Sequence, residues 1–200
     1  MPTLLLRDLN PAIVQAWQAV FADCPHVDAA FGNILETPAD AIISPANSFG
    51  FMDGGIDLAY THFFGWQLQQ RLQEIIQNEH HGELLIGNCV LMETRHPHIP
   101  YLLSCPTMRV PGDVSNTMNA FLAFKAALLK VKQYNATAEK PIETILCPGL
   151  GTLTGHISPA HCALQMRYAY EMVVKGTVPF PKRLWDEASV QEKLANFKMT

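Results

Sequence analysis

Two short apolar runs, each emptying into a glycine-rich loop, constrain this chain more than any other feature. Ala41-Ile42-Ile43 runs into Ser44-Pro45-Ala46-Asn47-Ser48 and then a glycine-rich stretch ending Gly54-Gly55-Ile56-Asp57. Ile142 to Cys147 runs into Pro148-Gly149-Leu150-Gly151-Thr152-Leu153-Thr154-Gly155. Compact runs of this kind, bounded by turn residues, read as strands buried on both faces. Each loop is followed by a helical pattern. Strands alternating with helices predict an α/β fold with a parallel or mixed sheet covered on both faces.

The remaining elements fit that frame. Residues 3–6 read as a short edge strand. Pro11 opens a helix with Asn10 as its cap, and Ile13, Val14, Trp17, Val20 and Phe21 recur at helical spacing. A short strand is expected around Val27. The glycine-rich stretch 49–57 is expected to hold no regular structure, and helices are predicted over 58–64 and 66–76, separated by Gly65. Strands are predicted over 84–92 and 101–105, with Pro97 and Pro100 in the turn between them. Helices follow over 114–131 and from Pro159 to about residue 174. Residues 1–175 are read as one domain. Residues 176–200 are read as an extension packed on it, with a short helix from Glu187 to Phe197.

Composition excludes several functions. Charged residues make up only 16% of the chain, and the net charge is -4. That balance argues against general nucleic-acid binding, which needs a basic face. No run approaches the ~20 apolar residues of a membrane span. The N-terminal apolar run breaks at Arg7 without a basic leader, so no signal peptide is read. The five cysteines, Cys24, Cys89, Cys105, Cys147 and Cys162, lack metal or redox spacing. They predict reduced thiols and a cytoplasmic setting, with Cys105 and Cys147 packed as small apolar groups.

Two glycine-rich loops at strand ends point to a phosphate-bearing ligand. Open α/β sheets bind ligands outside the carboxyl ends of their strands. Glycine lets backbone amides approach a phosphate, and a helix N-terminus adds partial positive charge. Tight turns without a ligand are the plainer alternative.

The sequence resembles the macro-domain family. The resemblance rests on the strand ending in Ala46-Asn47, the loop Gly54-Gly55-Ile56-Asp57 and the loop Pro148-Gly149-Leu150-Gly151-Thr152, and runs from about Val27 to Val174. It implies a three-layer α/β/α sandwich with a central mixed sheet. It also implies binding of ADP-ribose or a derivative, with no cofactor and no metal. ADP-ribosylated macromolecules are candidate partners, and no membrane partner is implied.

By the same resemblance, Asn47 would bond the distal ribose, with Ala46 beside it. Gly54, Gly55 and Ile56 would wrap the diphosphate, and Gly149, Leu150, Gly151, Thr152, Leu153, Thr154 and Gly155 would close on it. Asp57 matches an acidic residue that orients water in hydrolytic members. Asn33 and Ile34 stand where the family has Gly-Asp-Ile, so Asn33 would accept from the adenine amino group through its carbonyl oxygen. Leu153 replaces a usual glycine.

Three readings follow: a hydrolase acting at the distal ribose, with Asn47 and Asp57 catalytic; a binding module without chemistry; or a degenerate domain with a structural or interaction role. The hydrolase substrates would be ADP-ribosyl, O-acetyl or phosphate derivatives.

Plainer roles compete at single positions. Asp57 could serve the helix start, and Asn47 a turn. His80, His81, His96 and His98 read as solvated loop residues, since no cysteine or carboxylate cluster supports a metal. His156 borders the second loop and touches either a phosphate or only solvent. Arg109 reaches the cleft or forms a surface ion pair.

Overall fold

The computed structural model describes residues 2–196. In chain order the elements are β1 (Thr3–Asp8), α1 (Pro11–Val20), β2 (Val27–Phe31), β3 (Ala41–Ser44), α2 (Gly55–Phe64), α3 (Gln67–Glu79), β4 (Val90–His96), β5 (Ile99–Ser104), α4 (Asn119–Asn135), β6 (Thr144–Cys147), α5 (Pro159–Tyr170) and α6 (Leu184–Ala195). A 3₁₀ turn at Ile34–Glu36 leads into β3, and a π-helical turn at Glu171–Lys175 follows α5.

The six strands form one mixed sheet in the order β2-β1-β6-β3-β5-β4. Every pairing is parallel except that of β4 with β5. The carboxyl ends of β1, β6, β3 and β5 therefore lie along one side of the sheet.

Side-chain alternation explains the three layers. Ala41 and Ile43 point into one core with Leu4, Leu6, Leu103, Ile145 and Cys147, while Ile42 points into the other with Leu102 and Leu146. Period 2 with both faces apolar is how a doubly covered strand reads. Helices α1, α4 and α5 cover the first face through residues such as Trp17, Phe124 and Met166, all fully buried. Helices α2 and α3 cover the second through Tyr60, Leu68, Leu72 and Ile76. Burying one such side chain contributes about 1.5–3 kcal/mol. The expected three-layer α/β/α architecture is the one observed.

Both proline-opened helices form as the residues dictate. Asn10 Oδ1 accepts from the Ala12 amide at 3.0 Å ahead of α1, and Ser158 Oγ accepts from the His161 amide at 3.3 Å ahead of α5.

Several expected elements move. β1 is not an edge strand: it extends to Asp8 and lies between β2 and β6. Its polar end survives because Arg7 pairs with Asp28 of β2 at 2.5 Å. The glycine-rich stretch turns helical at Gly55, so Gly55, Ile56 and Asp57 form the first turn of α2. Residues 84–89 are loop, and the strand expected there runs from Val90 to His96. Its alternating burial marks a half-covered edge, and Arg71 caps that edge by donating to the Glu93 carbonyl at 2.8 Å. Pro100 lies within β5 rather than in the turn. Helix α4 begins only at Asn119, after turns through 115–118.

Of α6, Leu194 alone is buried. Its carbonyl accepts from Gln165 Nε2 at 2.6 Å and lies 2.6 Å from His161 Nε2. Phe197, the expected helix end, falls outside the described residues. Among the described residues no helix is long and apolar enough to cross a membrane.

Candidate functional site

Beyond Ser44 and Ser104, β3 and β5 stay zipped together. Ser44, Ala46 and Arg109 carbonyls accept from the amides of Cys105, Thr107 and Ser48, and Asn47 bridges to Met108. This ladder fixes the root of the first loop. The Asn47 carboxamide then closes the loop on itself: Nδ2 donates to the Phe51 carbonyl at 2.7 Å, and Oδ1 accepts from the amides of Phe49 at 3.1 Å and Phe51 at 3.3 Å. One carboxamide N–H is left over.

The chain next turns through Gly54 into α2. Gly55 has φ of +55°, a left-handed conformation that favours glycine. No side chain caps α2. The amides of Asp53 through Asp57 find no acceptor among the described residues. The helix start thus presents bare donors and positive dipole.

Asp57 lies in the first turn of α2 and is only 7% exposed. Ser44 Oγ donates to its Oδ1 at 2.6 Å. Burial pushes the carboxyl up to about 7, against the opposing pull of the Ser44 hydrogen bond. A carboxyl poised near neutrality at a cleft can exchange a proton with a bound molecule or water.

The second loop leaves β6 at Cys147. Asp8, at the end of β1, accepts from the Gly149 amide at 3.0 Å through Oδ2 and from the Asn10 amide at 2.8 Å through Oδ1. The Leu150 amide donates to the Cys162 sulfur at 3.4 Å. Carbonyls of Gly151, Leu153 and Gly155 are turned into the protein, accepting from the amides of Ile157, His156 and Val114. The amides from Gly151 to Gly155 find no acceptor among the described residues.

Both loops wall one cleft of about 360 Å³ at the strand ends. It brings together Ala46, Asn47, Gly54, Gly55, Ile56, Asp57, Gly149, Gly151, Thr152, Leu153, Thr154 and Gly155. Asn33, Ile34 and Leu150 do not line it. Asn33 instead opens the 3₁₀ turn, accepting from the Leu35 amide at 3.1 Å and donating to Glu36 at 3.1 Å. Ile34 and Leu150 are buried in the two cores.

Sequence reasoning missed Asp8, Asn10, Phe51, Asp53, Thr107, Met108 and Pro111, which also line the cleft. The signal for Asp8 was there: an acidic residue ending a strand two positions before a capped helix.

The side candidates resolve differently. Arg109 forms an ion pair with Glu83 at 2.7 Å, and its guanidinium lies 5.0 Å over the Phe49 ring. His96 is half-buried and packs 4.6 Å from the Phe63 ring, so it is not a solvated loop residue. His156 lies outside the cleft lining, 3.6 Å from Asp113. All five cysteines are free and buried. Among the described residues no group of three His, Cys, Asp or Glu could hold a metal.

Fold and cleft together define an α/β/α domain in which two loops with bare amides line one cleft. By sequence, a macro domain family model matches residues 43–166, and the chain belongs to that family. An uncharacterized protein of Aeropyrum pernix is 25% identical over 150 residues, covering 75% of this chain and 72% of that protein. One from Aquifex aeolicus is 26% identical over 126 residues, covering 63% and 69%. Among solved structures, the macrodomain of Mycobacterium tuberculosis DarG superposes with a TM-score of 0.59 at 17% identity, over 70% of this chain and 87% of that one. The Oceanobacillus iheyensis macrodomain with ADP gives 0.59 at 20% identity, over 81% and 87%. A point mutant of the same macrodomain with ADPR gives 0.56 at 21% identity, over 68% and 72%.

Proposed function

We propose that this protein binds ADP-ribose or a derivative, with the diphosphate held between the two loops. One observation carries the reading: two runs of unaccepted amides, from strands far apart in sequence, face a single cleft. Charge-assisted hydrogen bonds of this kind contribute about 1.5–3 kcal/mol each. The cleft volume also falls within the range of small-molecule sites. The O. iheyensis structures with ADP and with ADPR lend the ligand class.

In this pose the spare N–H of Asn47 donates to the distal ribose, since its oxygen already accepts two amides. Asp57 receives or supplies the proton of a water at the same end, which makes hydrolysis at the distal ribose the preferred activity. The base end falls to Asp8 and Asn10 rather than Asn33. ADP-ribosylated macromolecules are the proposed partners. The ligand-binding domain is residues 1–175, with 176–200 an extension, and the five free thiols support a cytoplasmic setting. A reader without chemistry is the second reading. It is favoured by Leu153, a large apolar side chain lining the cleft where the family resemblance implies glycine.

Titration calorimetry with ADP-ribose and AMP tests the proposal. ADP-ribose is expected to bind more tightly, because it alone engages both loops. Equal affinities sink the two-loop pose. Release of ADP-ribose, acetate or phosphate from the matching derivatives then separates hydrolase from reader.

A further inference from the structure

The cleft has an unusual charge inventory for a site built to hold a diphosphate. Its only ionisable lining side chains are the carboxyl groups of Asp8, Asp53 and Asp57, the last raised toward neutrality by burial, and among the described residues no lysine, arginine or histidine lines it. Arg109 sits in sequence beside the lining residue Met108, yet it is committed to Glu83 and the Phe49 ring. An anion here is held by amide dipoles alone, and a diphosphate spanning both loops engages those amides. Any further negative group on the ligand would meet no cationic side chain in the lining among the described residues.

Beside these carboxyl groups, the part of the cleft around Asn47 carries apolar side chains. Phe51 belongs to that part, because its carbonyl accepts the Asn47 carboxamide. Phe51 is 52% exposed, and Leu153, from the other loop, is 75% exposed. Met108, bridged to Asn47, and Pro111 complete the wall. Large apolar side chains so exposed at a cleft are unfavourable in water and become favourable when a ligand covers them. Asp53, exposed in the first loop, adds negative charge to the same neighbourhood.

Resting on the ADP-ribose reading above, we propose that the cleft selects derivatives by the substituent on the distal ribose. It accepts an uncharged substituent with a flat apolar face, such as an aryl or base-like group. It rejects a terminal phosphate. Phe51 and Leu153 clasp the substituent, and Asp53 repels the anion. A phosphate there would add a dianion to a cleft lined by carboxyl groups and by no lysine, arginine or histidine among the described residues, and like charges oppose each other even in partly aqueous surroundings.

Calorimetry with three probes tests this: ADP-ribose, its anomeric benzyl glycoside, and ADP-ribose phosphorylated at the anomeric oxygen. The benzyl glycoside is expected to bind at least as tightly as ADP-ribose, and the phosphorylated form about tenfold more weakly or worse. Asp53→Asn should recover several-fold affinity for the phosphorylated form while shifting ADP-ribose less. Leu153→Gly should weaken the benzyl glycoside more than ADP-ribose. Raising the salt concentration should narrow the phosphate penalty. A phosphorylated probe that matches ADP-ribose, or a benzyl glycoside that binds more weakly than ADP-ribose, overturns the selection. Failure of ADP-ribose itself to bind overturns the underlying ligand reading, a distinct result.

Discussion

The glycines that line the cleft serve opposite physical ends in the two loops. In the first loop, a Cβ added at Gly54 or Gly55 would meet nothing within 4 Å. These glycines leave space that faces the cleft. In the second loop, a Cβ at Gly149 would fall 2.5 Å from Thr152 Oγ1, at Gly151 2.9 Å from Ile157, and at Gly155 2.6 Å from the Gly151 carbonyl. These glycines let the chain pack against itself. One loop is open toward the cleft at these positions, and the other is closed and braced by Asp8, Cys162 and Val114. Composition alone reads both as the same motif. Only the packing separates a loop with open space at its glycines from a loop shaped by its own chain.

The sharpest break of that comparison is Gly155→Ala. Its Cβ would strike backbone, which cannot swing aside, so a loss of about 3 kcal/mol is expected, the upper part of the overpacking range. A urea midpoint unchanged from wild type would show the second loop to be no more rigid than the first.

Next in size is a pH effect that acts through the first loop. The folded carboxyl of Asp57 titrates at about 7, above its ordinary value of 3.8. Between those values the folded state holds a proton that the unfolded state has lost, so stability falls as pH rises through this window. At about 1.4 kcal/mol per unit, the fall between pH 5 and 7 is expected to be about 2 kcal/mol. Asp57→Asn should remove that slope, leaving the contributions of other groups. Parallel curves for wild type and variant would contradict it. The second loop, with no titrating carboxyl of its own, offers no equivalent.

Asn47→Ala removes the three hydrogen bonds that shape the first loop. A stability loss of about 1–2 kcal/mol is expected, because the loop is partly solvated and water replaces some of what is lost. Affinity for ADP-ribose should fall by more than that loss implies for a rim residue, since the amides at Gly54 and Gly55 lose their placement. Retained affinity would assign Asn47 to the turn alone.

The smallest expected effect completes the contrast. Gly54 has φ of -145°, extended backbone that any residue adopts. Gly54→Ala should therefore change stability by no more than about 0.5 kcal/mol, while the added methyl obstructs the cleft and weakens ADP-ribose. If the variant unfolds early and binds normally, the assignment of roles to the two loops is reversed.

Both loops were legible in the sequence because their signals are local: an apolar run, a cluster of glycines, a capped proline at a helix start. What escaped depends on distant partners. Asp8 lies beyond the strand expected at residues 3–6, and its partner is the Gly149 amide, which follows the neighbouring strand β6 but is 141 residues away in sequence. β1 looked like an edge because nothing near it in sequence announces β6. Asn33 is expected at the ligand from its neighbours in a motif; its side chain bonds locally to Leu35 and Glu36, and it is not among the residues lining the cleft. Leu84-Leu85-Ile86 looked like a strand, but Gly87 follows with a left-handed φ of +92°. The true strand starts beyond it, with the alternation of a sheet edge.

The interior position of β1 has a consequence during synthesis. Thr3 pairs with Thr144, and Leu6 with Cys147. On the ribosome, β1 emerges long before β6, so only β2 can pair with it early. Its other side remains an unpaired apolar edge while most of the chain is still being translated. Such edges are templates for wrong partners. Pairing between the ends of a long segment is also slow to nucleate. The nascent chain therefore has a late, all-or-nothing step, in which β6 arrives to separate β1 from β3 and both glycine loops take their places together.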